Sequence, residues 1–125
     1  MIIMEAEIFS SGLRVQLNSW GFTKIEIIKS CESALSIVGE QLPDLVIIEE
    51  RICMGKHALA GYKLVDLLSQ IPLIFTSNKP EQAVKTGEHF QRESNYWVLS
   101  HPCTENELKT AVEHLFGIRI PVRVA

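Results

Sequence analysis

Short runs of apolar residues alternate along the chain with segments in which apolar residues recur every three or four positions. The run at residues 45–48 consists of a leucine, a valine and two isoleucines with no polar residue between them. Such a run is typical of a strand that is buried on both faces of a sheet. The pattern predicts five strands, at residues 2–4, 24–28, 45–48, 72–76 and 96–99.

The segments between the strands carry the spacing of amphipathic helices and recognisable helix ends. Ser30 is suited to cap a helix, and Thr104 with Glu107 forms a capping box. Gly21 and Gly117 stand where helices commonly stop. The predicted helices cover residues 8–20, 30–42, 62–68, 81–90 and 104–117.

The order of elements predicts an α/β domain. Strands that alternate with helices form a parallel sheet with right-handed crossovers and helices on both faces. We therefore expect a (βα)5, flavodoxin-like, doubly wound five-stranded sheet over residues 1–116. Residues 117–125 fall outside this pattern and contain Pro121. They are expected to form an edge strand, a docking arm or a disordered end.

Composition narrows the classes of partner. A chain of 125 residues is one domain on the usual scale, and its 46% hydrophobic content is ample for a core. The net charge of −3 argues against direct nucleic-acid binding, and no apolar run approaches the length of a membrane span. Three widely spaced cysteines lack metal-ligand spacing, so we expect free thiols in a reducing cytoplasm.

Two carboxylates, Glu49 and Glu50, follow the buried run directly. In open α/β sheets the carboxyl ends of the strands form the crevice where ligands bind. Phosphate-binding glycine loops and a nucleophile-elbow motif are both missing from the sequence. The strand-end acid is therefore the main candidate for function, and no enzymatic activity is expected.

Four segments resemble the receiver domain of bacterial response regulators. They are residues 5–7 after the first strand, 43–49 in the third, 71–77 in the fourth and 98–102 after the fifth. The resemblance extends over residues 1–116. It implies the flavodoxin-like fold that the element order also predicts.

The resemblance also implies a phosphorylation site. In this family, acidic residues after the first strand hold Mg²⁺, and an aspartate ending the third strand accepts a phosphoryl group. A Thr or Ser ends the fourth strand, and Lys-Pro, often with a cis bond, follows the fifth. The matching positions here are Glu5, Ala6 and Glu7 for the acidic pocket, Glu49 for the acceptor, Ser77 for the hydroxyl, and His101 with Pro102 for the last pair.

Several of these positions depart from the family pattern. Glu49 is one methylene longer than aspartate, and a displacement of about 1 Å can cost ~10²-fold in rate. Ala6 removes one expected metal ligand, for which Glu7 compensates only in part. His101 is mostly neutral at pH 7 and shorter than lysine. Only Ser77 meets the requirement of the family.

The residues leave several roles open for the strand-end acid. Glu49 is a plain structural carboxylate, or it mimics phosphoaspartate toward Ser77 and His101. Glu5, Glu7 and Glu49 are weak candidates for a divalent-cation site, because Mg²⁺ and Ca²⁺ prefer carboxylate oxygens. Without a cation, His101 is predicted to pair with Glu49 as an imidazolium and to relieve the repulsion between carboxylates.

We interpret the chain as an atypical, cytoplasmic bacterial receiver that is not phosphorylated and has no cofactor, with Mg²⁺ as the weaker alternative. It is expected to act through protein–protein contacts, with a protein partner or a second copy, over residues 80–116. No nucleic acid, membrane or DNA-binding output is expected in the chain itself. The alternatives are a working phosphoacceptor that uses Glu49 or a nearby acid, and a sensor of small ligands or divalent cations at the strand-end crevice.

Overall fold

The computed structural model describes residues 1–5, 7–53, 58–77, 95–100 and 103–120. Within these ranges the chain forms five strands, four α-helices and one 3₁₀ helix. The strands are β1 (Ile2–Ile3), β2 (Ile27–Ile28), β3 (Val46–Glu49), β4 (Leu73–Ser77) and β5 (Tyr96–Ser100). The α-helices are α1 (Glu7–Ser19), α2 (Cys31–Val38), α3 (Ala58–Leu67) and α4 (Glu105–Phe116), and the 3₁₀ helix is Glu50–Cys53.

All five strands join one parallel sheet in the order β2-β1-β3-β4-β5. The sheet confirms the predicted (βα)5, flavodoxin-like fold class. β3 lies at the centre, and all four of its residues are buried as the sequence predicted. Glu49 stands in register with Thr76 of β4, so the end of the central strand faces the end of its neighbour.

Alternate residues of each strand feed two separate hydrophobic cores. In β1, Ile2 packs on the face covered by α1 and α4, whereas Ile3 packs on the face covered by α2 and α3. Ile47 and Ile48 of β3 divide in the same way. Because both faces are covered, the central strands of the described sheet can meet solvent at their carboxyl and amino ends but not along their faces.

Several element boundaries differ from the prediction. β2 is restricted to Ile27–Ile28, because the residues before it form no strand pairing within the described chain. Helix α2 ends at Val38, with Gly39 as C-cap, rather than at residues 42–43. Helix α3 begins at Ala58, before the predicted start. The helix predicted over residues 81–90 lies outside the described residues.

Capping decides where the last helix begins and ends. The Thr104 hydroxyl accepts a hydrogen bond from Glu107 N–H at 3.2 Å, and the Glu107 carboxylate accepts from Thr104 N–H at 3.0 Å. Gly117 ends α4 with a left-handed φ of 62°. Both features agree with the sequence, since each depends on residues close together in the chain.

Residues 118–120 fold back onto α4. The Ile118 N–H donates to the Glu113 carbonyl at 3.1 Å, and the Ile120 N–H donates to the Glu113 carboxylate at 2.7 Å. The Ile120 side chain is buried in the core beside α1 and α4. Across the described ranges, the helices are too short or too polar to cross a bilayer.

Two glycines provide a matched test of these backbone arguments. At Gly117 an alanine would be forced into the left-handed region, so Gly117→Ala is expected to lower the free energy of unfolding by about 1 kcal/mol. Gly12 lies within α1, and a methyl group added there would meet nothing within 4 Å. Gly12→Ala is expected to raise stability by about 0.5–1 kcal/mol. Urea unfolding of both variants measures the two effects, and effects of the same sign would contradict the assignment.

Candidate functional site

The carboxyl end of β3 brings a carboxylate into the interior. Glu49 is the last residue of the strand and is only 6% exposed. It lies between β1 and β4, whose ends flank it on either side. A buried carboxylate is costly unless charged or hydrogen-bonding groups compensate it. The partners of Glu49 therefore determine what this site can do.

Among the described residues, two groups compensate the Glu49 carboxylate. One oxygen, Oε1, accepts a hydrogen bond from the backbone N–H of Glu5 at 3.1 Å, just beyond β1. The other, Oε2, is paired with Nε of Arg51. Arg51 also extends its terminal nitrogen to the Glu5 carboxylate at 3.4 Å. Glu5, Arg51 and Glu49 thus form one linked group, here called the Arg51 clamp.

Sequence reasoning overlooked Arg51. The chain turns into a 3₁₀ helix at Glu50, directly after β3, and this turn lets the Arg51 side chain return to the strand end. The signal that could have found it is a basic residue two positions after the strand-end acid. Residues two apart in an extended strand also share a face, so the spacing alone is compatible with this contact, and the structure shows that it forms from a 3₁₀ turn.

The hydroxyl of the predicted site lies on the neighbouring strand. Ser77 ends β4, is 5% exposed and stands one residue beyond Thr76, the register partner of Glu49. Thr76 is fully buried, and its Oγ1 has no hydrogen-bond partner among the described residues. An unsatisfied buried hydroxyl costs about 1–3 kcal/mol, so the polar edge of β4 is incompletely compensated.

The remaining predicted positions are placed only in part. Glu7 begins α1 and is exposed, and its backbone carbonyl accepts the Ser10 hydroxyl at 3.1 Å. Ala6, His101 and Pro102 lie outside the described residues. The predicted pairing of His101 with Glu49 therefore stays a prediction. Arg51 already provides a positive charge at the position where that pairing was expected.

The described residues do not fit a divalent cation at this edge. Among them, no three histidine, cysteine, aspartate or glutamate side chains converge as a ligand set. The two carboxylates that approach each other, those of Glu5 and Glu49, are bridged by a guanidinium. A metal would have to displace Arg51 before these oxygens could coordinate it.

A thiol follows β5 close to α4. Cys103 is partly buried, and burial is the main cause that raises the pKa of its thiol, with a further contribution from the negative charge of Glu107. Cys103 and Cys31 are both reduced cysteines, and the Cys31 thiol donates to the Ile52 carbonyl at 3.6 Å. The Cys103 thiol is therefore mostly protonated at neutral pH, which makes it a poor nucleophile.

Comparison with known proteins agrees with this geometry at the level of the fold. No protein-family profile matches the chain. No curated protein matches it either. Solved structures do match, over nearly the whole length of the chain.

Three receiver-domain structures illustrate the likeness. The signal receiver domain of a modulated diguanylate cyclase from Desulfovibrio desulfuricans has a TM-score of 0.70 and 20% identity, covering 93% of this chain and 91% of that one. The N-terminal domain of a response regulator/sensory box/GGDEF three-domain protein from Carboxydothermus hydrogenoformans has a TM-score of 0.71 and 24% identity, with the same coverage. The REC domain of the PhyR response regulator from Erythrobacter litoralis has a TM-score of 0.69 and 19% identity, covering 99% and 95%. This chain therefore has the fold of response-regulator receiver domains.

The Arg51 clamp predicts a specific stability effect. Within the described part of the chain, Arg51→Gln leaves the buried Glu49 carboxylate with one backbone donor, so the free energy of unfolding should fall by about 1–3 kcal/mol. This loss of stability is smaller than the loss expected for a fully buried ion pair, because the Arg51 side chain is 66% exposed. Lys63→Gln, at an exposed lysine of α3, serves as the control and should change stability by less than about 0.5 kcal/mol.

The double variant Glu49→Gln with Arg51→Gln distinguishes the ion pair from the separate contributions of its two residues. Removing both charges should recover part of the stability lost in Arg51→Gln, because no buried charge is then left uncompensated. Chemical denaturation of the wild type, of the single variants Glu49→Gln and Arg51→Gln, and of the double variant measures the coupling energy. Equal effects of Arg51→Gln and Lys63→Gln would show that Arg51 does not stabilise Glu49.

The Cys103 environment predicts the pH dependence of its alkylation. Since the thiolate is the reactive form and the pKa of the thiol is raised, the alkylation rate should rise at a higher pH than for a cysteine in the unfolded chain. Glu107→Gln keeps a capping side chain but removes the charge, so it should move this rise to lower pH. Mass spectrometry of iodoacetamide-treated protein across a pH series measures both, and identical profiles for the native and unfolded chains would contradict the assignment.

Proposed function

We propose that this chain is an atypical response-regulator receiver domain that works through protein–protein contacts and does not accept a phosphoryl group. The receiver-domain fold supports the class of protein. The Arg51 clamp is the main observation that supports the absence of phosphorylation. The departures at Ala6 and His101 add to it, since they affect the same chemistry.

The chemistry of phosphoryl transfer explains why the clamp matters. Transfer to a carboxylate depends on positioning and on cations that neutralise the charge of the phosphoryl oxygens. Glu49 offers a longer side chain, and its Oε2 is already paired with a guanidinium. An incoming phosphodonor would have to break that pair and leave Arg51 without its buried partner. The donor would also meet an acidic pocket that lacks the carboxylate replaced by Ala6.

The same arrangement suggests what the domain does instead. Glu49 is already paired with a positively charged side chain, so the strand end has this ionic contact without a covalent modification. Ser77 ends the adjacent strand, at the position whose hydroxyl responds to the state of the acceptor in receiver domains. We infer that the domain presents one stable surface to its partner, as a receiver held in a single signalling state would.

The partner is proposed to be a signalling protein in a bacterial cytoplasm. Two of the similar structures come from proteins described as a diguanylate cyclase and a GGDEF three-domain protein. The expected contact surface, residues 80–116, includes β5 and α4 in its described part. We propose no catalytic activity, no nucleic-acid contact and no bound cofactor for the domain.

Treatment with acetyl phosphate and Mg²⁺ tests the central point. We expect no added phosphoryl group on the intact chain by mass spectrometry, because Arg51 occupies the acceptor carboxylate and the metal pocket is incomplete. Beryllofluoride with Mg²⁺ should likewise leave the amide NMR signals of Glu49 and Ser77 unchanged. Saturable phosphorylation, or shifts confined to these residues, would instead identify a working phosphoacceptor.

A reconstituted variant provides the matched positive control. Glu49→Asp combined with Ala6→Asp, Arg51→Ala and His101→Lys restores each group that the family pattern requires. This protein is expected to acquire a phosphoryl group under the conditions in which the natural chain does not. Glu49→Asp alone should stay unmodified, since Arg51 and Ala6 are unchanged. A saturable rise in melting temperature with Mg²⁺, Ca²⁺ or nucleotides would instead support the alternative of a ligand or cation sensor.

A further inference from the structure

Helix α1 has an apolar surface that the described chain leaves uncovered. Ile8 is 92% exposed and Val15 is 66% exposed, and both lie on the same face of the helix. Gly12 lies between them, and a methyl group placed there would meet nothing within 4 Å. These three residues follow i, i+4, i+7 spacing, which aligns them along one stripe.

The stripe is not part of the core-facing side of the helix. Ser10, Leu13 and Leu17 are the buried residues of α1, and they lie on the opposite side from Ile8 and Val15. The helix is therefore apolar on two opposite faces, of which only one is used within the described chain. Scattered single apolar residues on a surface are ordinary, but an aligned pair around a glycine is a candidate helix-packing surface.

Gly12 supports this argument because glycine lowers the stability of a helix. Glycine within a helix is less favourable than alanine by about 0.5–1 kcal/mol. Nothing in its described surroundings would clash with a side chain there. A second helix that crosses at Gly12 would explain the glycine, because a residue without a side chain allows the two backbones to approach closely.

Two charged residues on the flank of α1 indicate which helix could pack against this surface. Glu7 and Arg14 are both exposed and lie seven residues apart, about 10 Å along the axis. Both fall on the same flank, about 100° around the helix from Ile8 or slightly more. Within the described residues neither side chain forms an ion pair. The flank therefore has a negative charge at the first turn of the helix and a positive charge two turns later.

We propose that α1 is the interface of a two-fold symmetric dimer in which the helices of two copies pack antiparallel. A two-fold axis perpendicular to both helices exchanges their ends while keeping their charged flanks on the same side. Glu7 then meets Arg14 of the second copy, twice per dimer, and Ile8 meets Val15 of the second copy. In a parallel arrangement the charged flanks lie on opposite sides, so the charges do not meet.

The surface also limits the strength of this dimer. One pair of short helices buries less than the roughly 800 Å² per partner of a standard stable interface. The dimer is therefore expected to be weak and to dissociate on dilution. It is distinct from the contact surface over residues 80–116, so a dimer could still bind a signalling partner there.

Sedimentation velocity of the full chain tests the proposal. Between about 1 µM and about 1 mM, the range of weak complexes, we expect a concentration-dependent shift from monomer to dimer. Ile8→Ser should weaken self-association by at least about tenfold, since an exposed isoleucine on each copy becomes buried in the dimer. Leu59→Ser, at a residue of α3 that is 69% exposed, is the matched control and should leave the equilibrium unchanged.

Reversing the charges tests the antiparallel arrangement itself. Glu7→Lys and Arg14→Glu should each weaken the dimer by about fivefold, because each places like charges opposite one another. The double variant should restore wild-type affinity, as each lysine again meets a glutamate. Far-UV circular dichroism of each variant checks that the fold is kept.

Three outcomes would overturn the proposal. The first is a chain that stays monomeric over the whole concentration range. The second is a dimer that Ile8→Ser and Leu59→Ser affect equally. The third is a charge-reversed double variant that associates no better than either single variant. If the monomer instead binds a helix of another protein through Ile8, the occupant of the surface is that helix and not a second copy.

Discussion

A carboxylate at the end of a strand that is buried on both faces has to be neutralised by whatever group can reach it. In this protein the Glu49 side chain is held by a backbone N–H from beyond β1 and by a guanidinium from the 3₁₀ helix. These two contacts connect the ends of β1 and β3 with the turn that follows β3. The shape of the carboxyl edge therefore depends on one buried charge, and its chemical character follows from the same contacts.

The features that were predicted correctly are those encoded by neighbouring residues. The aliphatic run of β3 and the capping box at Thr104 specify their structures locally, and both appear as expected. The strand-end position of Glu49 followed from the same run. Arg51 was overlooked because its importance arises from a 3₁₀ turn that brings it back to the strand. Its spacing of two residues from Glu49 is compatible with a contact, but the sequence shows neither the 3₁₀ turn nor the second contact with Glu5.

The two opposite faces of α1 show why burial in one chain is an incomplete description of a helix. The inner face, with Leu13 and Leu17, closes the core on one side of the sheet. The outer face, with Ile8 and Val15, has the apolar character of an interface but lies outside any described contact. In the proposed dimer the same helix of thirteen residues would contribute both to the stability of the domain and to its assembly.

The Arg51 clamp also has an evolutionary consequence. Suppose that an ancestor of this domain accepted phosphoryl groups. Loss of Arg51 alone would leave a buried glutamate without its counter-charge, and exchange of Glu49 for aspartate alone would leave the guanidinium beside the shorter acid. On the proposed function, each single reversal would give a protein that is less stable or that still accepts no phosphoryl group. A lineage that acquired this interaction would then tend to keep it, because recovery of phosphorylation needs several changes at once.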